Sequence, residues 1–310
     1  MNGSLGTCAL AGLVFLLSFV LASRLVAFYW QRLSTQLPPV IPEFSSLLAL
    51  VVALLPALFS LIVVTVLLVP GFPLIDAHCH QAVCSPHGPV WQSEQRMWGS
   101  VIVVAGLSTV IALVLGRLIW LDHREARHWR TMARPCEGFF LLEHPSPIAF
   151  TLGLWRPRIF LSSGLLTKME KPAQEVILSH EQAHARRGDN LRLLAARLGT
   201  VCFPRHNRRQ LLAQLSLWQE QCCDRVAASH CGDRLLVADS LLRMARISRQ
   251  MTGIALSGFS GTATEQRVKA LLEPPVSPLP RRAWLPLLLS LPILALIGVT
   301  PLHYLLEWIF

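Results

Sequence analysis

Four stretches of this 310-residue chain are apolar over lengths close to the roughly 20 residues a helix needs to cross a hydrocarbon core about 30 Å thick. They cover residues 5 to 29, 44 to 69, 98 to 120 and 284 to 300. Lipid offers the backbone no hydrogen-bond partner, so such segments are expected as helices. Residues 44 to 69 hold no charge, and only Pro56 interrupts them. The last stretch is shorter and contains Pro286 and Pro292, so a kinked or interfacial helix competes with a full crossing. The first has no Lys or Arg ahead of its apolar run and reads as a retained helix, not a removable signal peptide. With 53% hydrophobic and 15% charged residues, an ordinary soluble domain and a disordered chain are both excluded.

The charges that remain are concentrated. Net charge is +10, and residues 122 to 282 carry all of the excess, with 24 basic and 14 acidic side chains. Basic segments stay on the cytoplasmic side, which places this block and the loop around Arg32 inside, and the amino terminus and residues 71 to 97 outside. Arg24 and Arg117 then lie where they can snorkel to headgroups, and Trp30, Trp98, Trp120 and Trp284 fall at expected interfaces. Topology thus accounts for the basic surplus, and no direct binding of nucleic acid is expected.

Within the block, Pro172 starts a helical period that runs over residues 173 to 198 and contains His180-Glu181-Gln182-Ala183-His184. Two imidazoles at i and i+4 stand one turn apart and can meet on one metal ion, and the adjacent Glu can reach water beside it. A catalytic zinc takes a third protein ligand and keeps a position open. Pro204 breaks the chain, and a second helical run over residues 208 to 229 brings Glu220-Gln221-Cys222-Cys223-Asp224. Glu220 and Asp224 share a face; Glu220 completes a His, His, Glu set, and Asp224 can fix a histidine tautomer from behind. Arg158 to Ser162 reads as a strand, either an edge that pairs with an extended substrate or an internal strand with no such role. The basic run Arg205 to Arg209 reads as a solvated loop.

These motifs, HEQAHARRGD from His180 and EQCCD from Glu220, together with TLGLWRPRIFLSSGLL from Thr151 and EQRVKALL from Glu265, resemble the peptidase M56 family of BlaR1-like membrane zinc metalloproteases. The resemblance implies a polytopic α-helical membrane protein with an inserted α+β gluzincin-type metalloprotease domain. Residues 1 to 121 would hold three transmembrane helices and an external loop, 122 to 282 the cytoplasmic zinc domain, and 283 to 310 a fourth helix and a short tail. It further implies zinc as cofactor, held by His180, His184 and Glu220, with Glu181 as catalytic base and Asp224 behind a ligand. The setting would be the bacterial cytoplasmic membrane. The partner would be a protein substrate such as a cytoplasmic DNA-binding repressor, cut to relay a signal, or the chain itself. The penicillin-binding motifs Ser-x-x-Lys and Lys-Thr-Gly do not occur, so the sensor domain of the antibiotic-responsive members is not expected.

Two further readings stand beside this one: a membrane quality-control protease of the M48 type, and a nonproteolytic receptor whose metal is structural. The M48 pattern resembles two helices before the motif and two after, against the three and one counted here. The external loop adds His78, Cys79, His80, Cys84 and His87, a set read first as a Cys79 to Cys84 disulfide and second as a site for copper or zinc. Residues 252 to 264, rich in Gly, Ser and Thr, are expected as a loop over the site or a self-cleavage target.

Overall fold

The computed structural model describes residues 4–34, 41–68, 78–80, 83–85, 94–252 and 261–273. Among the described residues three helices are long and apolar enough to cross a membrane: α1 (Ser4–Leu33), α2 (Pro42–Leu68) and α3 (Glu94–Met132). Between α2 and α3, β1 (His78–His80) and β2 (Val83–Ser85) form an antiparallel hairpin. The remainder is mostly helical with one small mixed sheet. The expected fourth helix, 284 to 300, and Trp284 lie outside the described residues.

The sheet comprises β3 (Ala133–Pro135), β4 (Phe140–Leu142), β5 (Ala149–Leu152) and β6 (Arg158–Ser162), in the order β3-β4-β6-β5. β6 pairs in parallel with β4 and antiparallel with β5, and its Phe160 is matched with both Phe140 and Phe150. The three rings stack at 5.3 and 5.2 Å, and Trp129 of α3 meets Phe150 edge-on at 5.4 Å. That aromatic ladder fixes the register, since a one-residue slip would send every ring to the other face. Of the two readings of Arg158 to Ser162, the edge strand is overturned and the internal strand found: it lies between β4 and β5, buried from Ile159 onward, and β5 is an edge.

The helices follow as α4 (Ser163–Lys168), α5 (Lys171–Arg187), α6 (Asp189–Gly199), α7 (Arg205–Cys231), α8 (Arg234–Thr252) and α9 (Gly261–Leu272). The single helix read over residues 173 to 198 is therefore two. Gly188 adopts φ 64°, a left-handed conformation that favours glycine, and the chain turns there although the apolar period continues. Arg205 to Arg209 form the first turn of α7, not a loop, and Asn207 among them donates to the Ala27 carbonyl of α1 at 3.0 Å. Residues 261 to 264, expected in a loop, begin α9; residues 253 to 260 are outside the described set.

The helices that follow the sheet are built onto α1 and α2. Ala27 and Trp30 of α1, Leu48, Ala49 and Ala53 of α2, and Ala196, Phe203, Leu211 and Leu215 of α6 and α7 with their connection form one buried cluster. Trp30, expected at a membrane interface, is instead inside this cluster. At Gly199 an added Cβ would fall 2.3 Å from the Ala53 carbonyl oxygen, so only glycine allows α6 to approach α2 this closely. Polar contacts continue the seam: Arg187 donates to Ser46 at 3.3 Å, and Arg225 pairs with Glu43 at 3.5 Å. Two further clusters, around Leu161, Leu165 and Ile177 and around Val176, Val237 and Leu241, join α5 to the sheet and to α7 through α9. A fully buried Leu, Ile or Val among them contributes about 1.5–3 kcal/mol.

Candidate metal centre

α5 starts at Pro172, which the first helical turn tolerates because its missing N–H has no partner there. The helix carries His180 and His184 one turn apart, with their Nε2 atoms 3.1 Å apart. α7 brings Glu220 opposite them, Oε2 at 3.4 Å from His180 Nε2 and Oε1 at 3.6 Å from His184 Nε2. One ligand atom from each of the three residues fits within 4.8 Å of the others. Four donors around zinc at 2.0–2.1 Å stand about 3.4 Å apart, so these spacings suit that ion.

The rear of each imidazole is tied to a carboxylate. His180 Nδ1 lies 3.0 Å from Asp224 Oδ1, and His184 Nδ1 lies 2.9 Å from Asp189 Oδ2. A carboxylate only accepts, so each Nδ1 carries the proton and each Nε2 presents its lone pair to the cleft. Two such nitrogens 3.1 Å apart call for positive charge between them, a proton in the metal-free protein or a metal ion in its place, and the Glu220 carboxylate facing both suits the metal ion. The same demand shows in the electrostatics. Burial alone would lower the pKa of His180, but hydrogen bonds to Asp224 and Glu220 outweigh it and raise the value from 6.5 to about 10. Burial would likewise raise Glu220 and Asp224, yet Arg267 foremost, then His180, holds both carboxyls well below their usual range.

Arg267 was absent from the sequence-based set. It is 2% exposed, donates from Nε and Nη2 to the two oxygens of Asp224 at 2.8 and 2.7 Å, and places Nη1 3.0 Å from Glu220 Oε2. One buried guanidinium therefore compensates the buried Asp224 and the half-buried Glu220. The visible signal was an arginine on the apolar face of EQRVKALL, in line with the buried Thr264 and Leu271. Asp189 was quoted within a motif but given no role. Besides His184 it takes hydrogen bonds from Arg187 Nε at 3.4 Å and the Cys223 thiol at 3.6 Å. Burial, the largest influence, pushes that thiol far up, so Cys223 remains a neutral donor and not a thiolate ligand.

Glu181 is buried at the cleft wall, where Thr151 of β5 donates its hydroxyl to Oε2 at 2.7 Å. Asn190 holds the same strand by donating to the carbonyls of Thr151 and Gly153 at 3.0 and 3.4 Å. The cleft has a volume of about 430 Å³ and is lined by His180, Glu181, His184 and Glu220, with Ile148 to Thr151 along one side and Val176, Leu241 and Met244 supplying apolar walls. In the β1–β2 hairpin, Cys79 and Cys84 are register partners, as are His78 and Ser85; His87 lies outside the described residues. The hairpin is not brought into the cleft lining.

Residues 141–271 match the family model described as BlaR1 peptidase M56, which bears out the resemblance read from the motifs. Neither the curated proteins nor the solved structures gave a match.

Proposed function

We propose that this chain, whose residues 141–271 belong to the M56 peptidases, is a zinc-dependent endopeptidase of gluzincin type that relays a signal at a membrane by cutting a cytoplasmic regulator or itself. What supports the reading is the convergence of His180 Nε2, His184 Nε2 and the Glu220 carboxylate beside a buried Glu181 in one cleft. His180, His184 and Glu220 would hold zinc. When bound, the ion supplies a Lewis acid that polarises the scissile carbonyl and makes water more acidic.

The chain's own groups do the rest. Glu181 takes the proton of the attacking water and later delivers it to the departing amine, so that one water is consumed as the C–N bond breaks. Thr151 aims the Glu181 carboxylate, while Asp224 and Asp189 hold both imidazoles in the ligand tautomer. β5, as a sheet edge beside the cleft, offers the backbone pairing to an extended substrate that was one of the two readings of residues 158 to 162. A DNA-binding repressor as substrate, the cytoplasmic placement of the peptidase segment and the fourth crossing at 284 to 300 belong to this proposal.

The test compares wild type with Glu181→Ala in detergent. Both are expected to bind about one zinc by elemental analysis, while cleavage of the chain itself and of co-expressed regulators falls at least 10²-fold in the variant. Equal cleavage by both proteins would remove Glu181 from the mechanism. Zinc in both with cleavage by neither would favour the receptor reading.

A further inference from the structure

A second cavity, about 590 Å³, opens between the far end of α3 and the turn that joins β5 to β6. Arg127 and Arg130 face it from α3, and Arg156 and Arg158 from the turn and the start of β6. Among the described residues none of these four arginines forms an ion pair. The carboxylate in the lining, Asp122, is engaged in accepting the Leu154 N–H at 3.2 Å. Four guanidiniums around one space repel each other, and an anion among them removes that repulsion.

Position selects the anion. Trp120 is an exposed aromatic with the Arg124 guanidinium 5.2 Å from its ring, the combination expected where a helix leaves hydrocarbon for headgroups. Arg127 and Arg130 follow it by about 10 and 15 Å along the helix. Helical side chains lean toward the amino terminus, so both arginines reach back toward the headgroup layer. Across the cavity Trp155, 64% exposed at the turn, presents a second amphipathic ring. We infer that this basic cavity is a binding site for the phosphate headgroup of an anionic phospholipid, taken from the membrane that α3 crosses.

The site bears on the cleft through one strand. Gly153 lines the basic cavity, and its carbonyl and that of Thr151 are held by Asn190, while the Thr151 hydroxyl grips Glu181. A headgroup clamped between Arg156, Arg158 and α3 would steady the turn at the end of β5. The inference rests on α3 being a membrane helix and not on the peptidase reading, so its test reads binding instead of cleavage.

The full chain, purified in detergent, is titrated with phosphatidylglycerol and with phosphatidylcholine of the same acyl chains, and bound lipid is counted by native mass spectrometry. Wild type is expected to prefer phosphatidylglycerol. Arg156→Gln with Arg158→Gln should weaken that lipid roughly 25-fold, about fivefold per arginine, and leave phosphatidylcholine unchanged. Arg127→Gln with Arg130→Gln should do the same from the opposite wall, whereas Arg205→Gln with Arg209→Gln on α7 should not. A preference that survives both cavity pairs, or no preference in wild type, overturns the proposal. Displacement of the lipid by millimolar inorganic phosphate, or tighter binding of a polyglutamate peptide, would reassign the cavity to a soluble anion and overturn it as well.

Discussion

α2 and α3 are both apolar enough to cross a membrane, yet they stand in opposite relations to the rest of the chain. α2 gives Leu48, Ala49, Val52 and Ala53 to a core shared with α6 and α7, and Glu43 and Ser46 to polar contacts with the peptidase helices. Among the described residues of α3 none is buried, and it meets the sheet only near its far end, through Trp129 and Asp122. Hydropathy reports that a helix can sit in lipid, not which of its faces the protein occupies. Small residues mark the difference, because Ala49, Ala53 and the facing Gly199 let backbones approach where larger side chains would hold them apart.

The contrast can be broken most forcefully at the network carried by α5 and α7, the helices that α2 supports. Arg267→Met removes the cation shared by Asp224 and Glu220 and leaves both carboxylates uncompensated. The expected loss is about 3–5 kcal/mol of stability, with zinc retention falling in parallel, measured by denaturant titration in detergent and elemental analysis. Unchanged zinc binding would mean that the guanidinium is no part of what holds Glu220 in place.

A smaller and more selective blow compares two glycines. Gly199→Ala drives a methyl against the Ala53 backbone and should cost about 1–3 kcal/mol, loosening the seam and the metal centre behind it. Gly116→Ala in α3 meets nothing within 4 Å and should be neutral or stabilising by up to about 1 kcal/mol. Thermal midpoints of the two variants measure the contrast directly, and equal shifts would erase it.

The mildest effect sharpens the account of the centre itself. The folded-state pKa of His180, about 10, exceeds its ordinary 6.5. Its proton therefore stabilises the metal-free fold fully below pH 6.5, and that contribution is lost as pH rises through about 10. Zinc must displace this proton, so apparent zinc affinity should climb about tenfold per pH unit, or 1.4 kcal/mol, between pH 6.5 and 8. Competition with a chelator at several pH values checks the slope, and a flat profile would show that His180 carries no second proton in the metal-free fold.

How much of this was legible depends on the range over which each feature is encoded. His180, Glu181 and His184 follow from spacing on one helix, and Glu220 with Asp224 from spacing on another, because i and i+4 share a face whatever surrounds them. The three described helices apolar enough to span a membrane follow from composition alone. Arg267 and Asp189 acquire their partners only when α9 and the α5–α6 turn fold back, so local pattern could mark them as unusual without saying what they touch. Strand order is likewise nonlocal: alternation along Arg158 to Ser162 shows a strand but not that β4 and β5 flank it. Gly188 was read through because the apolar period on either side continues in phase, although a glycine after two arginines is an ordinary helix stop.

The seam between α2 and α6 also sets a difference between the unit that is inherited and the unit that folds. The M56 segment spans residues 141–271, yet the apolar faces of Phe203, Leu211 and Leu215 are closed by side chains from the first 53 residues. Recombination that moved the catalytic segment alone to a new anchor would leave that face open to water. A piece that folds with this face closed includes α1 and α2, and the same holds for any attempt to graft residues 141–271 onto another anchor.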